Sequence, residues 1–258
     1  MFVEGKVALI TGAAGEIGAA IARQLAAGGA RVALLDRNAA GARDVASQLG
    51  GGATWHECDV SDEMSTEQTM AAAEAAHGRI DIGILNAGIV VPRMPLVEFD
   101  VATYDRIMAV NARSVFLGLK HIFPALRRQG GGSVVITSST EGLRGNAGLG
   151  PYAASKHAVI ALAKTAAIEW AQFNIRVNCI NPGPVDTAMM RSLEQKATEA
   201  GTPNMRERGV SIIPMKRFAA TDEIAKFARF LASDDASYST GATYLLDGGM
   251  LAGKMAMD

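Results

Sequence analysis

Cysteine is scarce in this chain: Cys58 and Cys179 are its only two, and neither sits in a CxxC pair. Two isolated thiols exclude a disulfide scaffold and fit a reducing compartment. Charge of one sign is missing as well. The 25 basic and 26 acidic residues leave a formal net charge of −1, with no basic stripe to track a nucleic-acid backbone. No apolar run reaches membrane-spanning length. The opening MFVEGKVALI ends at Thr11-Gly12, too soon for a signal peptide, and no Asn-x-Ser/Thr sequon occurs. The expected setting is cytoplasmic, with neither nucleic acid nor membrane as partner. Nor does any linker or repeat divide the 258 residues, so residues 1–258 read as one domain.

What is present is a rhythm. Apolar residues make up 49% of the chain, enough for a sizeable core. Short β-rich runs occur at 7–11, 31–36, 53–59, 80–86, 133–139, 175–181 and 242–247. Several are apolar on successive residues, as strands buried on both faces are. Helical periodicity lies between them. Ile17, Ala20, Ile21 and Leu25 share one helix face, and 64–76, 103–128, 152–173 and 222–232 also read as helices. Seven strands alternating with helices predict an α/β fold: a Rossmann-type, doubly wound, parallel seven-stranded sheet with helices on both faces. Residues 188–215, which hold four methionines and a Gly201-Thr202-Pro203 break, interrupt the rhythm. They read as an active-site lid or, equally, as a helical hairpin on the rim.

After the first strand comes Thr11-Gly12-Ala13-Ala14-Gly15-Glu16-Ile17-Gly18. A glycine-rich turn lets a pyrophosphate approach the free N–H groups of the following helix. In isolation it is also a plain tight turn; its place between a buried strand and an amphipathic helix favours a dinucleotide. The second strand ends in Asp36, whose carboxylate suits ribose hydroxyls and repels a 2′-phosphate, so the expected cofactor is NAD rather than NADP. Arg37 can soften that preference.

With these features the chain resembles the short-chain dehydrogenase/reductase family, in its compact single-domain branch, over essentially its whole length. The resemblance also rests on Asp59-Val60 after the third strand and Asn86-Ala87-Gly88 after the fourth. It extends to Asn181-Pro182-Gly183-Pro184-Val185-Asp186-Thr187 after the sixth and to Asp247-Gly248-Gly249 near the end. It implies that Asp59 and Val60 flank adenine, that Asn86, Ala87, Gly88, Pro182, Gly183 and Val185 line the cofactor cleft, and that Thr187 lies near the carboxamide. One position departs from the family pattern: Glu16 stands where its middle glycine belongs, with Gly15 one place earlier. A carboxylate there either repels the diphosphate or turns outward; the second is expected.

Tyr152 and Lys156 lie four apart at the start of a helical pattern, on one face. A free tyrosine has a pKa of about 10. A nearby ammonium, together with the positive nicotinamide of NAD⁺, favours the phenolate, which would make Tyr152 a general base for alcohol oxidation and an acid for ketone reduction. Ser139 ends the fifth strand, where strand ends face the ligand crevice, and its hydroxyl is suited to hold a substrate oxygen. Ser138 would point the other way. The resemblance selects the same Ser139, Tyr152 and Lys156. It adds Asn111 at a helix kink that holds a water relay, and gives Lys156 the nicotinamide ribose as a second ligand. No metal is expected: the four histidines lack ligand spacing, and His157 reads as structural.

Candidate substrate contacts are Arg93, Thr140, Glu141, Arg144, Asn146, Leu149, Met189 and Met190. The methionines suit an adaptable apolar ligand, while Glu141 and Arg144 either select a polar group or form a solvated pair. The expected activity is NAD-dependent hydride transfer between nicotinamide and a secondary alcohol or ketone. Two alternatives stand beside it. A 3-oxoacyl-carrier-protein reductase would use Arg127 and Arg128 toward an acidic carrier, although Asp36 argues against its usual NADPH. A non-catalytic dinucleotide-sensing protein is the other. The family resemblance implies a homotetramer.

Overall fold

The computed structural model describes residues 3–199 and 201–253. Seven strands run parallel: β1 (Val7–Thr11), β2 (Arg31–Asp36), β3 (Thr54–Glu57), β4 (Ile82–Leu85), β5 (Gly132–Thr137), β6 (Ile175–Pro182) and β7 (Thr243–Leu246). They form one sheet in the order β3-β2-β1-β4-β5-β6-β7. Every predicted strand is present, with ends shifted by a residue or two. The helices are α1 (Glu16–Ala27), α2 (Ala39–Leu49), α3 (Glu63–His77), α4 (Val101–Met108), α5 (Ser114–Arg128), α6 (Gly150–Trp170), α7 (Ala188–Glu199), α8 (Met205–Ser211) and α9 (Thr221–Ala232).

Each central strand is apolar on successive residues because each face of the sheet carries a helical layer. Val7 and Leu9 pack with residues of α3, α5 and α6. Ala8 and Ile10 pack with α1, α2 and α9 on the other side. Ile21 and Leu25 of α1 are fully buried, each burial worth about 1.5–3 kcal/mol. Pro151 lies in the first turn of α6, where a missing N–H costs nothing.

One predicted helix needs amendment. The stretch 103–128 is not one α-helix: α4 and α5 are joined by a π-helical segment, Ala109–Arg113, with buried Asn111 inside it. The segment 188–215 contains α7 and α8, tied to the body by a small apolar cluster of Ile213, Phe218 and Met250, with Met190 and Val210 against it.

The strand order sets the location of any ligand crevice. The chain leaves β1 toward β2 on one side and returns to β4 on the other, and this reversal opens a crevice beyond the C-terminal strand ends. The register pairs Thr11 with both Leu35 and Leu85, so Gly12, Asp36 and Asn86 emerge along one edge.

Candidate active site

The glycine turn is built by close approach. Gly12 has φ +67°, and a Cβ there would lie 2.8 Å from the Ala87 Cα. A Cβ on Gly18 would lie 2.1 Å from the Gly12 carbonyl oxygen. Gly15, by contrast, faces open space apart from that same oxygen at 3.4 Å. It is the N-cap of α1 and no side chain caps the helix there, so the first N–H groups of α1 keep their donors for a ligand. The turn therefore fits a diphosphate. Ile17, partly buried, packs into the core beneath it.

Asp36 is fixed at the end of β2 by two backbone donors, Ala14 N–H at 2.9 Å and Asn38 N–H at 2.8 Å. Arg37 is exposed. Asp59 accepts from the N–H and hydroxyl of Ser61, which hold its carboxyl below the usual range, with Arg37 and Arg113 adding to the effect. Val60 is buried beside it. Asn86 laces the edge together: its amide donates to the Thr11 and Gly12 carbonyls at 3.3 Å, and its Oδ1 accepts from the Thr137 hydroxyl at 3.1 Å. The Ala87 N–H donates to Thr11 Oγ1. Gly88 passes so close that a Cβ would meet Lys156 Nζ at 3.3 Å and Asn111 Oδ1 at 3.4 Å.

Glu16 turns away from the glycine turn, toward α7. Its Oε2 accepts from the Ala188 N–H at 2.9 Å, and its Oε1 pairs with Arg191 at 2.9 Å. Arg191 also pairs with Asp186, which pairs with Arg206, which pairs with Glu194. This ion chain joins the first residue of α1 to both helices of 188–215. The cap and the half-exposed pair are together worth about 1–2 kcal/mol. Replacing Glu16 with Gly or Gln is expected to speed amide hydrogen exchange across α7 by about fivefold in the ligand-free protein. Unchanged exchange would mean that the pair contributes no hold on α7.

Ser139, Tyr152, Lys156 and Asn111 come together at the same edge. Lys156 is 4% exposed, donates to the Thr137 carbonyl at 2.9 Å, and lies 5.8 Å from the Tyr152 ring centroid. Burial pushes its pKa down to about 8. Burial raises the Tyr152 phenol above its ordinary value, the Ser139 hydroxyl pulls it partly back, and the Glu141 carboxylate adds to the rise. Ser139 Oγ accepts from the Glu141 N–H, whereas Ser138 donates to the Lys156 carbonyl, facing the other way.

The Asn111 side chain has three protein partners. It accepts from the Ile89 N–H at 2.7 Å and donates to the Ile89 carbonyl at 2.9 Å and to Ser155 Oγ at 3.1 Å. The π-helical turn presents it to the loop that follows β4. Pro182 ends β6, and Gly183 and buried Val185 lead on to Thr187, whose hydroxyl oxygen caps α7 by accepting from the Met190 N–H at 3.2 Å.

The candidate substrate residues divide. Arg93 Nη1 donates to Asn146 Oδ1 at 2.8 Å and to the Ala147 carbonyl at 2.7 Å, stitching two rim loops together. Asn146 and Arg144 both donate to Glu141 Oε1 at 3.1 Å. Leu149 is the N-cap of α6. Thr140 is buried within the 3-10 turn Thr140–Gly142. Met189 is half exposed and Met190 packs inward. Sequence reasoning missed Thr11, the Thr137 carbonyl, Ser155 and Ile89. Two of these act through backbone atoms, which leave no side-chain signal. His157 bonds the Ala153 carbonyl within α6, as a structural residue does. Among the described residues no three His, Cys, Asp or Glu side chains gather as metal ligands would, and no helix is long and apolar enough to cross a membrane.

Comparison with known proteins agrees with this geometry. The model of a family described as Enoyl-(Acyl carrier protein) reductase matches residues 12–251. The chain is 40% identical to a cis-4-hydroxycyclohexanecarboxylate dehydrogenase from Sinomonas cyclohexanicum, over 96% of this chain and 97% of that one. It is 39% identical to a D-threitol dehydrogenase from Mycolicibacterium smegmatis, over 96% and 93%. The crystal structure of a 3-ketoacyl-(acyl-carrier-protein) reductase from Brucella melitensis complexed with NADH superposes with a TM-score of 0.90 at 34% identity, covering 96% of this chain and 99% of that one.

Proposed function

Because the chain belongs to the short-chain dehydrogenase/reductase family of oxidoreductases, we propose that it is an NAD-dependent dehydrogenase of secondary alcohols, with Tyr152 as its acid–base group. The observation that carries this reading is the convergence of Tyr152, Ser139 and buried Lys156 beside the Asn86–Gly88 edge of the crevice.

The dinucleotide supplies the hydride acceptor for oxidation and the donor for reduction. Gly12, Gly15, Ile17, Gly18 and the α1 N-terminus hold its diphosphate, Asp36 its adenosine ribose, Asp59 and Val60 its adenine. Asn86–Gly88 and Pro182–Thr187 line the nicotinamide end, and Tyr152 and Lys156 meet its ribose. The fixed Asp36 carboxylate disfavours a 2′-phosphate, which supports NAD over NADP. Ser139 holds the substrate oxygen. Tyr152 Oη takes the proton of the alcohol hydroxyl, or returns it to a ketone oxygen. Lys156 keeps its ammonium near the phenol and so favours the phenolate. Asn111 fixes the loop after β4 at Ile89 against Ser155, and through it the first turn of α6.

The names of the two relatives, one acting on a hydroxylated ring and one on a polyol, support a medium-sized secondary alcohol as substrate. The Brucella neighbour favours the acyl-carrier reading, yet the arginines that reading needs are already engaged. Arg128 pairs with Glu74 and Arg127 stacks on Phe173. Nicotinamide absorbance, followed with NAD⁺ and NADP⁺ in parallel, decides between them. Cyclic alcohols, polyols and 3-hydroxyacyl thioesters form the panel. Turnover of an alcohol with NAD⁺ is expected; turnover restricted to NADP⁺ and thioesters would overturn the proposal, and dinucleotide binding without turnover would make the protein a sensor.

A further inference from the structure

Next to Tyr152 lies a carboxylate with one oxygen uncommitted. Glu141 follows Ser139 by two residues and is 7% exposed. Its Oε1 is taken by Arg144 and Asn146, but its Oε2 is buried and has no hydrogen-bond partner. Arg144 Nε is likewise buried and unpartnered. Leaving such groups unpartnered is costly, more so where they are charged, and native folds keep them mainly where something else completes them.

The pair dictates what that something is. It offers one acceptor and one donor on neighbouring side chains of opposite charge. A substrate carboxylate would be repelled by Glu141. A carbonyl would meet Arg144 and leave Glu141 unsatisfied. A hydroxyl both donates and accepts at a single atom, and it carries no charge to upset the pair. The wall is preorganised: Asn146, which holds Oε1, is itself held by Arg93, and the Met94 N–H donates to the Gly148 carbonyl at 3.1 Å. The Arg144 side chain, 32% exposed, is the movable face.

We propose that Glu141 and Arg144 recognise a second hydroxyl on the substrate, so that the enzyme selects diols over simple alcohols. This rests on the dehydrogenase reading above. A site built to bond a hydroxyl rejects the analogue lacking it far more strongly than an apolar pocket rejects a missing methylene.

The test compares kcat/KM for the isomeric cyclohexanediols and for cyclohexanol, using the full chain with NAD⁺ or NADP⁺. Wild type is expected to favour at least one diol by roughly tenfold or more. In Glu141→Gln and Glu141→Ala that ratio is expected to collapse toward one, chiefly through KM, as it is in Arg144→Met. NADH fluorescence confirms that each variant still folds and binds dinucleotide. A wild type without diol preference, or a ratio unmoved by all three variants, would overturn the proposal while leaving the dehydrogenase reading intact. A wild type that binds dinucleotide but oxidises none of these alcohols would overturn both.

Discussion

Tyr152→Phe is expected to lower turnover roughly 10²–10⁴-fold, the usual worth of a positioned acid–base group, while dinucleotide affinity changes by less than about tenfold, the worth of one hydrogen bond. The substitution removes a single oxygen from a partly buried ring and leaves the packing of α6 alone, so the loss belongs to chemistry rather than folding. The pH profile separates the two further. Oxidation needs the phenolate, and burial raises the phenol, so wild-type kcat/KM for the alcohol rises with pH. Ketone reduction needs the phenol, so it holds at lower pH and falls as pH rises through the same ionisation. Lys156, which titrates at about 8, is charged below that value and favours the phenolate there. Lys156→Gln is therefore expected to lower alcohol oxidation chiefly below about pH 8, where the ammonium is present, and Tyr152→Phe to abolish the rise with pH. A Tyr152→Phe variant with wild-type turnover would remove Tyr152 from the chemistry.

How much of this was legible in the sequence depends on the range of the forces involved. The strands were, since successive apolar residues such as Val7–Ile10 admit few environments other than a sheet covered on both faces. Helix α2 was not; its buried face is only Ala42, Val45 and Ala46 among polar and glycine neighbours, which leaves little periodic signal. The kink at Asn111 followed from a poor helix former in a helix interior, but its partner, the Ile89 backbone, lies 22 residues away. Glu16 was expected to turn outward, and it does. That Arg191 receives it depends on how α7 docks, a fact of tertiary structure. The burial of Tyr152 was not legible, because spacing shows which charges are neighbours and not how deeply they are buried; that burial raises its phenol. Arg93 and Asn146 were read as substrate contacts from their type and place. In the structure each is occupied by the other, which makes them braces for the rim.

Gly18→Ala is expected to lower the melting temperature by about 3–10 °C, from an overpacking cost of about 1–3 kcal/mol, and to abolish tight dinucleotide binding. The added methyl would sit 2.1 Å from the Gly12 carbonyl oxygen and 3.0 Å from the Ala13 Cα, and both of these are backbone. No side chain can swing aside, so either α1 moves off β1 or the glycine turn changes shape. Moving α1 pulls Ile21 and Leu25 from the core and breaks the seat of α9, while reshaping the turn displaces the Gly12 carbonyl that Asn86 grips. Gly15→Ala is the internal control. Its backbone has φ −74° and ψ 153°, open to any residue, and its methyl meets only the Gly12 oxygen at 3.4 Å. That variant should melt within about 2 °C of wild type, and any loss of affinity it shows reports on the space the diphosphate needs. Thermal melts with and without NADH read both effects at once. If Gly18→Ala melted with wild type and bound NADH normally, the close contact between α1 and the glycine turn would not be what shapes the site.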